Sequence, residues 1–386
     1  MKKEINVLFA MLRCGFLDEM PDAEVQRYAS ENAELLYKMS RHHDLAHIMY
    51  YAFKKCNIVI SDEKAAYKYL KQHAMSVMRY ENLNLAQSKI YELFENERIP
   101  FVPLKGSVVR NLYAEPWMRT SCDIDILVHD EDLERAQKAL VEKLGYTTDG
   151  KKDFHDISLY SDTDVHLELH FNIKENMDNV DGVLSRVWEY ARPNENGSYE
   201  YKLSNEFLLF HTVSHIAFHV VTGGCGIKYF FDLFLLEKEL EINSKEFFEL
   251  LEECKIKTFY DAVLKLSKIW FSDEKHDETT LVLQKYLLNG GVYGTKMNAL
   301  AANSEKKSVI SYILRRIFMP YEQLCITYPF LKGKKILLPF YQVRRWVRFL
   351  KKRRYKNASN EIEANKSVAQ SDINEYSMLI EKLNLK

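Results

Sequence analysis

The sequence predicts an α+β chain, with a small mixed sheet flanked by N- and C-terminal helical regions. Three observations carry this. Only 13 glycines and 8 prolines punctuate 386 residues, which suits long helices and few hairpins. Apolar residues recur at helical spacing on both sides of a short central stretch. That stretch, residues 99–172, holds the clearest period-2 runs.

The elements follow in order. From Asp22 to Met39, Val25, Tyr28, Ala29, Leu35, Leu36 and Met39 share a helical face. Asp44–Lys55 and Tyr67–Glu97 repeat the pattern. Ile99–Leu104 is short, apolar and bounded by turn residues, as a buried strand is. Gly106–Tyr113 reads as a short helix and Asp123–Val128 as a strand with alternating faces. Asp130 or Asp132 caps a helix through Leu144, and Gly145 suits its C-terminal stop. His155–Tyr160 and Asp164–Phe171 form a hairpin about Ser161-Asp162-Thr163. Further helices are expected over Asn205–Val221, Lys228–Leu240, Phe247–Leu266, Thr279–Leu288 and Ser308–Ile317, with a basic one over Gln342–Tyr355. A last helix, Asp372–Leu383, starts with a capping box of Asp372 and Glu375. The implied organisation is a helical region (1–98), an α/β core (99–172), a helical domain (173–356), a polar linker (357–371) and a terminal helix (372–386).

Composition narrows the function classes. Apolar residues make 47% and charged residues 28% of the chain, so it is globular, and its length suits two or three domains. With 54 basic and 55 acidic residues, the net charge is −1. That disfavours a globally basic nucleic-acid binder. No run approaches ~18 apolar residues, so no transmembrane segment is expected. Met1-Lys2-Lys3-Glu4 makes a poor signal-peptide start. The six cysteines (14, 56, 122, 225, 254 and 325) have no metal-ligand or redox spacing. Reduced thiols and a cytoplasmic location are expected.

The chemistry gathers in the central stretch. Asp123 and Asp125 are two apart on a strand, so their carboxylates share a face and Ile124 and Ile126 face the core. Adjacent carboxylates repel unless a cation lies between them, and Mg²⁺ suits such oxygen donors. Asp164, His166, Glu168 and His170 share one parity of the later strand. If the two strands are neighbours, Glu168 completes a three-carboxylate site able to hold two metals for in-line phosphoryl displacement. Asp156 and Asp164 are rivals for the third acid. Gly106-Ser107 opens a helix after a strand, a place where phosphate can approach the backbone. Lys105 either reaches a phosphate or pairs with an acid. Arg119 either steadies a triphosphate or pins the loop before Asp123.

A strand ending in Gly-Ser, a helix, Asp-hydrophobic-Asp on the next strand and a later acidic strand resemble the DNA polymerase beta-like nucleotidyltransferase superfamily. More narrowly, FVPLKGSVVRNLY, RTSCDIDILV, HLELHFNI and YPFLKGKKILLPFYQVRRWVRFL look like the uncharacterised bacterial nucleotidyltransferase family, over roughly His43 to Leu350. The resemblance implies a nucleotidyltransferase core in which Gly106 and Ser107 bind an NTP triphosphate (ATP by default). It also implies that Asp123 and Asp125 bind Mg²⁺, or Mn²⁺, and that Glu168 is the third carboxylate. Lys105 and Arg119 are the further nucleotide-binding candidates. Fifteen residues separate Ser107 from Asp123, slightly more than is usual in such proteins. Cys122 stands where a Ser often precedes the first Asp.

Two other constellations have plainer readings. His211, His215 and His219 share one helical face at i, i+4 and i+8. The aromatic residues around them favour packed or hydrogen-bonded histidines over a zinc site. Contact of His215 or His219 with nucleotide or acceptor is the sharper alternative. Lys228 and Asp232 read as an intrahelical ion pair. Eight basic residues lie between Arg344 and Lys356, with no acid from 323 to 360. That is a solvated helix face, or a weak contact for RNA or an anionic membrane. The expected function is transfer of a nucleoside monophosphate from NTP to an acceptor hydroxyl of a small molecule, RNA end or protein. The alternative is an inactive nucleotide-binding or scaffold protein.

Overall fold

The sheet sits where the sequence puts it, between two helical regions. This is a computed structural model, and it describes residues 2–148, 150–292, 321, 334, 337–342, 344 and 370–385. Its central sheet has β1 (Phe101–Pro103), β2 (Asp123–Val128), β3 (Asp156–Tyr160) and β4 (His166–His170) in the order β1-β2-β4-β3. β1 runs antiparallel to β2, β2 parallel to β4, and β3 antiparallel to β4. The α+β expectation holds.

The period-2 pattern divides the sheet between two apolar clusters. Ile124, Ile126 and Val128 pack with Leu167, Leu169, Leu159 and Ile157 against α5 (Glu63–Asn96) and α7 (Leu133–Leu144). The other face of β2 carries Asp123, Asp125 and Leu127. Leu127 joins the larger cluster, built by helices from both ends of the chain. α5 has 34 residues, about 50 Å. Its Ala65 and Tyr69 serve the larger cluster, and its Ile90 and Phe94 the sheet cluster. It therefore ties the two cores together.

Several element boundaries differ from expectation for physical reasons. A helix expected over Asp22–Met39 is two, α2 (Ala23–Glu31) and α3 (Ala33–His42), because Asn32 leaves helical geometry (φ −116°) and bonds back to the Tyr28 carbonyl. The one expected over Phe247–Leu266 is also two, α11 (Ser244–Glu253) and α12 (Lys257–Phe271). Lys255 adopts φ +55° between them. Gly106–Tyr113 is one α-turn, α6 (Gly106–Val109), followed by a 3₁₀ turn over Arg110–Leu112. Neither Asp130 nor Asp132 caps α7 with its side chain, since both belong to a 3₁₀ turn that feeds it. Gly145 stops α7 in the left-handed conformation, φ +71°. Asp372 lies inside the helix Gln370–Lys382 and not at its expected start.

Some elements had no counterpart in the sequence reading. They include the helix α1 (Lys2–Leu17) and a small hairpin of β5 (Ala191–Pro193) and β6 (Tyr201–Leu203). The helices α9 (Asn205–Thr222), α10 (Lys228–Glu239) and α13 (Glu278–Gly290) match their expected spans within two residues. The expected helix at 308–317, most of the basic stretch and linker residues 357–369 lie outside the described residues, while Gln370 and Ser371, expected in the linker, are helical. No described helix is long and apolar enough to cross a membrane.

Candidate active site

The register of the parallel β2–β4 pair builds the site. Asp123 stands opposite His166 and Asp125 opposite Glu168. Facing side chains on one side of adjacent strands meet. An oxygen of Asp123, a ring nitrogen of His166 and an oxygen of Glu168 lie within 4.8 Å of one another. Asp125, Glu168 and His170 form a second such group. Glu168 belongs to both, so the three carboxylates gather on one face of the sheet. The rivals are placed differently: Asp156 faces His170 across the β3–β4 pair, and Asp164 lies in the turn before β4.

Cations already border this acidic patch. Lys105 Nζ lies 3.0 Å from Asp125 Oδ1, so of its two open roles Lys105 here takes the ion pair with an acid. His170 Nε2 lies 3.1 Å from the same oxygen and 3.5 Å from Glu168 Oε2. These distances set the ionisation of the group. Burial alone would lower the Lys105 pKa, but Asp125, Glu175 and Glu168 overcome it and hold the ammonium above its usual range. Burial would raise Asp125, yet Lys105 and His170 hold it well below the carboxylate range. Among the described residues Asp123 has no such close cation, and Lys105 and Lys228 act on it only weakly. Burial and the charges of Asp125 and Glu168 raise its pKa. A carboxylate left in that state gains most from an added cation.

The loop before β2 is pinned from the helical region. Arg119 is buried. Its Nη2 donates to Asp232 Oδ2 at 2.8 Å, its Nε lies 3.2 Å from both Asp232 oxygens, and its Nη1 donates to Ser121 Oγ at 3.0 Å. Tyr113 Oη donates to Asp232 Oδ1 at 2.6 Å. Of the two roles open to Arg119, these contacts are those of a loop pin. They also correct the expected Lys228–Asp232 pair: Asp232 reaches across to Arg119, while Lys228 Nζ donates to the Thr120 carbonyl at 3.1 Å.

The Gly-Ser turn packs directly on that pin. A Cβ on Gly106 would come within 2.3 Å of Ser121 Oγ and 2.4 Å of Arg119 Nη1, so only glycine fits. Lys105 before it has φ +45° and ψ −116°, a conformation that costs about 1–3 kcal/mol and tends to occur at functional sites. The amides of Ser107, Val108 and Val109 bond to the Leu104 and Lys105 carbonyls. The short helix therefore offers fewer free N–H groups than the sequence suggested. Ser107 Oγ is buried without a hydrogen-bond partner, close enough to Tyr91 to influence its hydroxyl.

The donor set fits a hard divalent cation. Three carboxylates supply oxygens, two histidines lie beside them, and the buried His170 Nδ1 has no hydrogen-bond partner. Sequence reasoning left His166 and His170 without a role here, although their shared parity with Glu168 was visible. It gave Asp232 the wrong partner and did not single out Glu175, because their partners are distant in sequence. His211, His215 and His219 belong to neither candidate metal group among the described residues. His215 instead binds Glu175.

A family model described as an uncharacterised nucleotidyltransferase matches residues 29–272. It starts earlier and stops sooner than the resemblance drawn from sequence motifs, ending just after α12. No curated protein matches the chain. The matched span contains the Gly-Ser turn, both aspartates, Glu168 and the Arg119–Asp232 pin, and covers well over half of the chain, which therefore belongs to this uncharacterised nucleotidyltransferase family.

Proposed function

We propose that this protein transfers a nucleoside monophosphate from an NTP to an acceptor hydroxyl. The observation that carries this is the in-register convergence of Asp123, Asp125 and Glu168 on one sheet face, beside a glycine-dependent turn. Asp123, Asp125 and Glu168 would hold Mg²⁺, with Mn²⁺ as the substitute. Bound there, the metal ions would neutralise phosphate charge and favour in-line displacement.

The chain's own residues supply the rest. Lys105 already sits against the carboxylates, close enough to turn its ammonium toward a phosphate oxygen. Ser107 Oγ offers an unused donor at the turn. The Arg119–Asp232 pin fixes the loop that leads into Asp123, so the carboxylate face is organised before substrate arrives. α9 and α10 border the site and are suited to select the acceptor, whether small molecule, RNA end or protein side chain.

Purified protein, Mg²⁺, α-labelled NTPs and cell extract test this. Wild type is expected to move label into one acceptor class, and Asp123→Ala to abolish it. Equal labelling by the two proteins overturns the reading. One observation favours a second reading: Lys105 already pairs with Asp125, and His170 lies within hydrogen-bond distance of the same oxygen, as in an idle nucleotide-binding core. Metal-dependent NTP binding without turnover would identify that case.

A further inference from the structure

Beside the carboxylate face, α9 carries a hydrogen-bonded chain that the metal-centred reading does not use. His215 Nδ1 lies 2.7 Å from Glu175 Oε1. His215 Nε2 lies 3.0 Å from His219 Nε2. The His215 and His219 rings are nearly perpendicular (84°), and both pack on Tyr229, with centroids 5.6 and 5.3 Å away. Glu175 is buried, whereas both histidines are partly open.

With both rings neutral, one proton arrangement satisfies these contacts. Facing a carboxylate, His215 Nδ1 carries hydrogen. A neutral imidazole has one N–H, so His215 Nε2 accepts. The hydrogen between the two rings then belongs to His219 Nε2, which leaves His219 Nδ1 with a free lone pair. A carboxylate that orients a histidine and stabilises its charged form is the logic of a catalytic base, here extended by one ring.

The chain is tied to the loop before Asp123 through α10, whose Tyr229 packs on both histidines. Lys105, which pairs with Asp125, is close enough to affect Glu175, His211 and His219 electrostatically. The other charged or titratable groups facing the chain are Lys228 and Tyr229 on α10, His211 on α9, and His170 on β4 beyond His211. Lys228 also bonds the Thr120 carbonyl, three residues before Asp123.

We propose that His219, backed by His215 and Glu175, is the base that takes the proton of the acceptor hydroxyl. The step balances. The hydroxyl oxygen forms a bond to the α-phosphorus as its proton passes to His219 Nδ1. The bond from that phosphorus to the bridging oxygen breaks, and its electron pair leaves with pyrophosphate. The proton between the rings shifts to His215, whose positive charge then rests against Glu175. His219 is the catalytic residue, and His215 and Glu175 are positioning residues. This inference rests on the nucleotidyl-transfer reading above.

The test measures the pH–rate profile of label transfer, the KM for NTP and rescue by added imidazole. Asp123→Ala serves as the control for the reaction itself. His219→Ala is expected to lower kcat about 10²-fold, leave the NTP KM within about twofold, lose the acidic limb of the profile, and recover in imidazole. Glu175→Gln keeps the side-chain shape but removes the charge that favours the protonated ring. Its acidic limb should therefore move to lower pH, with a smaller loss of rate. An unchanged His219→Ala profile, or a loss that imidazole does not restore, overturns the relay. If His219→Ala fails to fold by circular dichroism, Glu175→Gln decides, and an unmoved limb overturns the relay. Equal labelling by wild type and Asp123→Ala instead defeats the transfer reading, and the relay with it.

Discussion

Gly106 shows how one residue couples the Gly-Ser turn to the loop leading into Asp123. Its missing Cβ is the space filled by Ser121 Oγ and Arg119 Nη1. Arg119 cannot retreat, because its other nitrogens are held by buried Asp232. Gly106→Ala should therefore cost about 1–3 kcal/mol in stability, the usual range for overpacking a filled interior. The displaced loop should also weaken NTP binding. Urea unfolding and an NTP titration check the two effects, and normal stability together with normal affinity would show that the contact yields freely. Sequence motifs pointed to Gly106 through the Gly-Ser pair, but as a close approach for phosphate. The contact that demands glycine here is with a side chain of the same protein. It depends on a loop fold that no local pattern reports.

At the scale of elements, the loop before β2 and α10 are held by a buried ion pair between residues 113 positions apart. Removing one partner of such a pair leaves the other charge buried and alone, a loss of about 3–5 kcal/mol. Arg119→Ala should show that loss in chemical denaturation. The combined change Arg119→Met, Asp232→Leu and Tyr113→Phe should recover much of it without restoring transfer, because the loop loses its anchor. The strands were legible because their period-2 runs are bounded by turn residues, and β2 starts and stops where the pattern does. The break at Lys255 was not legible. Apolar spacing continues through it, and a lysine with φ +55° carries no sequence signal. The Arg119–Asp232 pair was hidden for a different reason. Lys228, four residues from Asp232 on the same helix, offers a nearer partner, and only the tertiary fold shows that it turns elsewhere. The cap of α13 is local, yet the sequence reading began that helix at Thr279 and did not single it out. Asp277 accepts from the Thr280 amide at 2.8 Å and starts α13 with a reciprocal box, while Lys265 lies 2.8 Å from its other oxygen. Those hydrogen bonds, with Lys265 first, hold its pKa below the usual value. A depressed carboxyl stabilises the fold above its unfolded pKa, about 3.9. That contribution is lost as pH falls through the folded value. Asp277→Ala should cost about 1 kcal/mol at neutral pH, and the difference from wild type should shrink in acid. A thermal midpoint at neutral pH equal to that of wild type would contradict this.

The molecule as a whole is joined by its larger core, which draws helices from both ends of the chain around one face of the sheet. That arrangement buries histidines as neutral groups. His43 is pushed down to about 4 by burial first and by neighbouring His42 second. His47 is likewise pushed down to about 4 by burial, although its hydrogen bond to the Met118 carbonyl, 2.9 Å away, opposes the shift. The sign follows from proton counts. Between the unfolded value, about 6.5, and a folded value near 4, the unfolded chain binds more protons, so stability falls as pH drops through that window. Each histidine should remove about 3 kcal/mol by pH 4, a large share of the stability of an ordinary domain. His47 joins α4 (Ala46–Lys55) to the loop that leads into Asp123. Acid should therefore loosen the Gly-Ser turn together with the helical core rather than either alone. Circular dichroism and NTP binding, followed together from pH 7 to pH 4, are expected to fall in one transition. His47→Gln keeps a neutral side chain able to donate to the Met118 carbonyl, and should move that transition to lower pH. Loss of binding at a pH where the helical signal is intact would mean that the site and the helical core respond to acid separately.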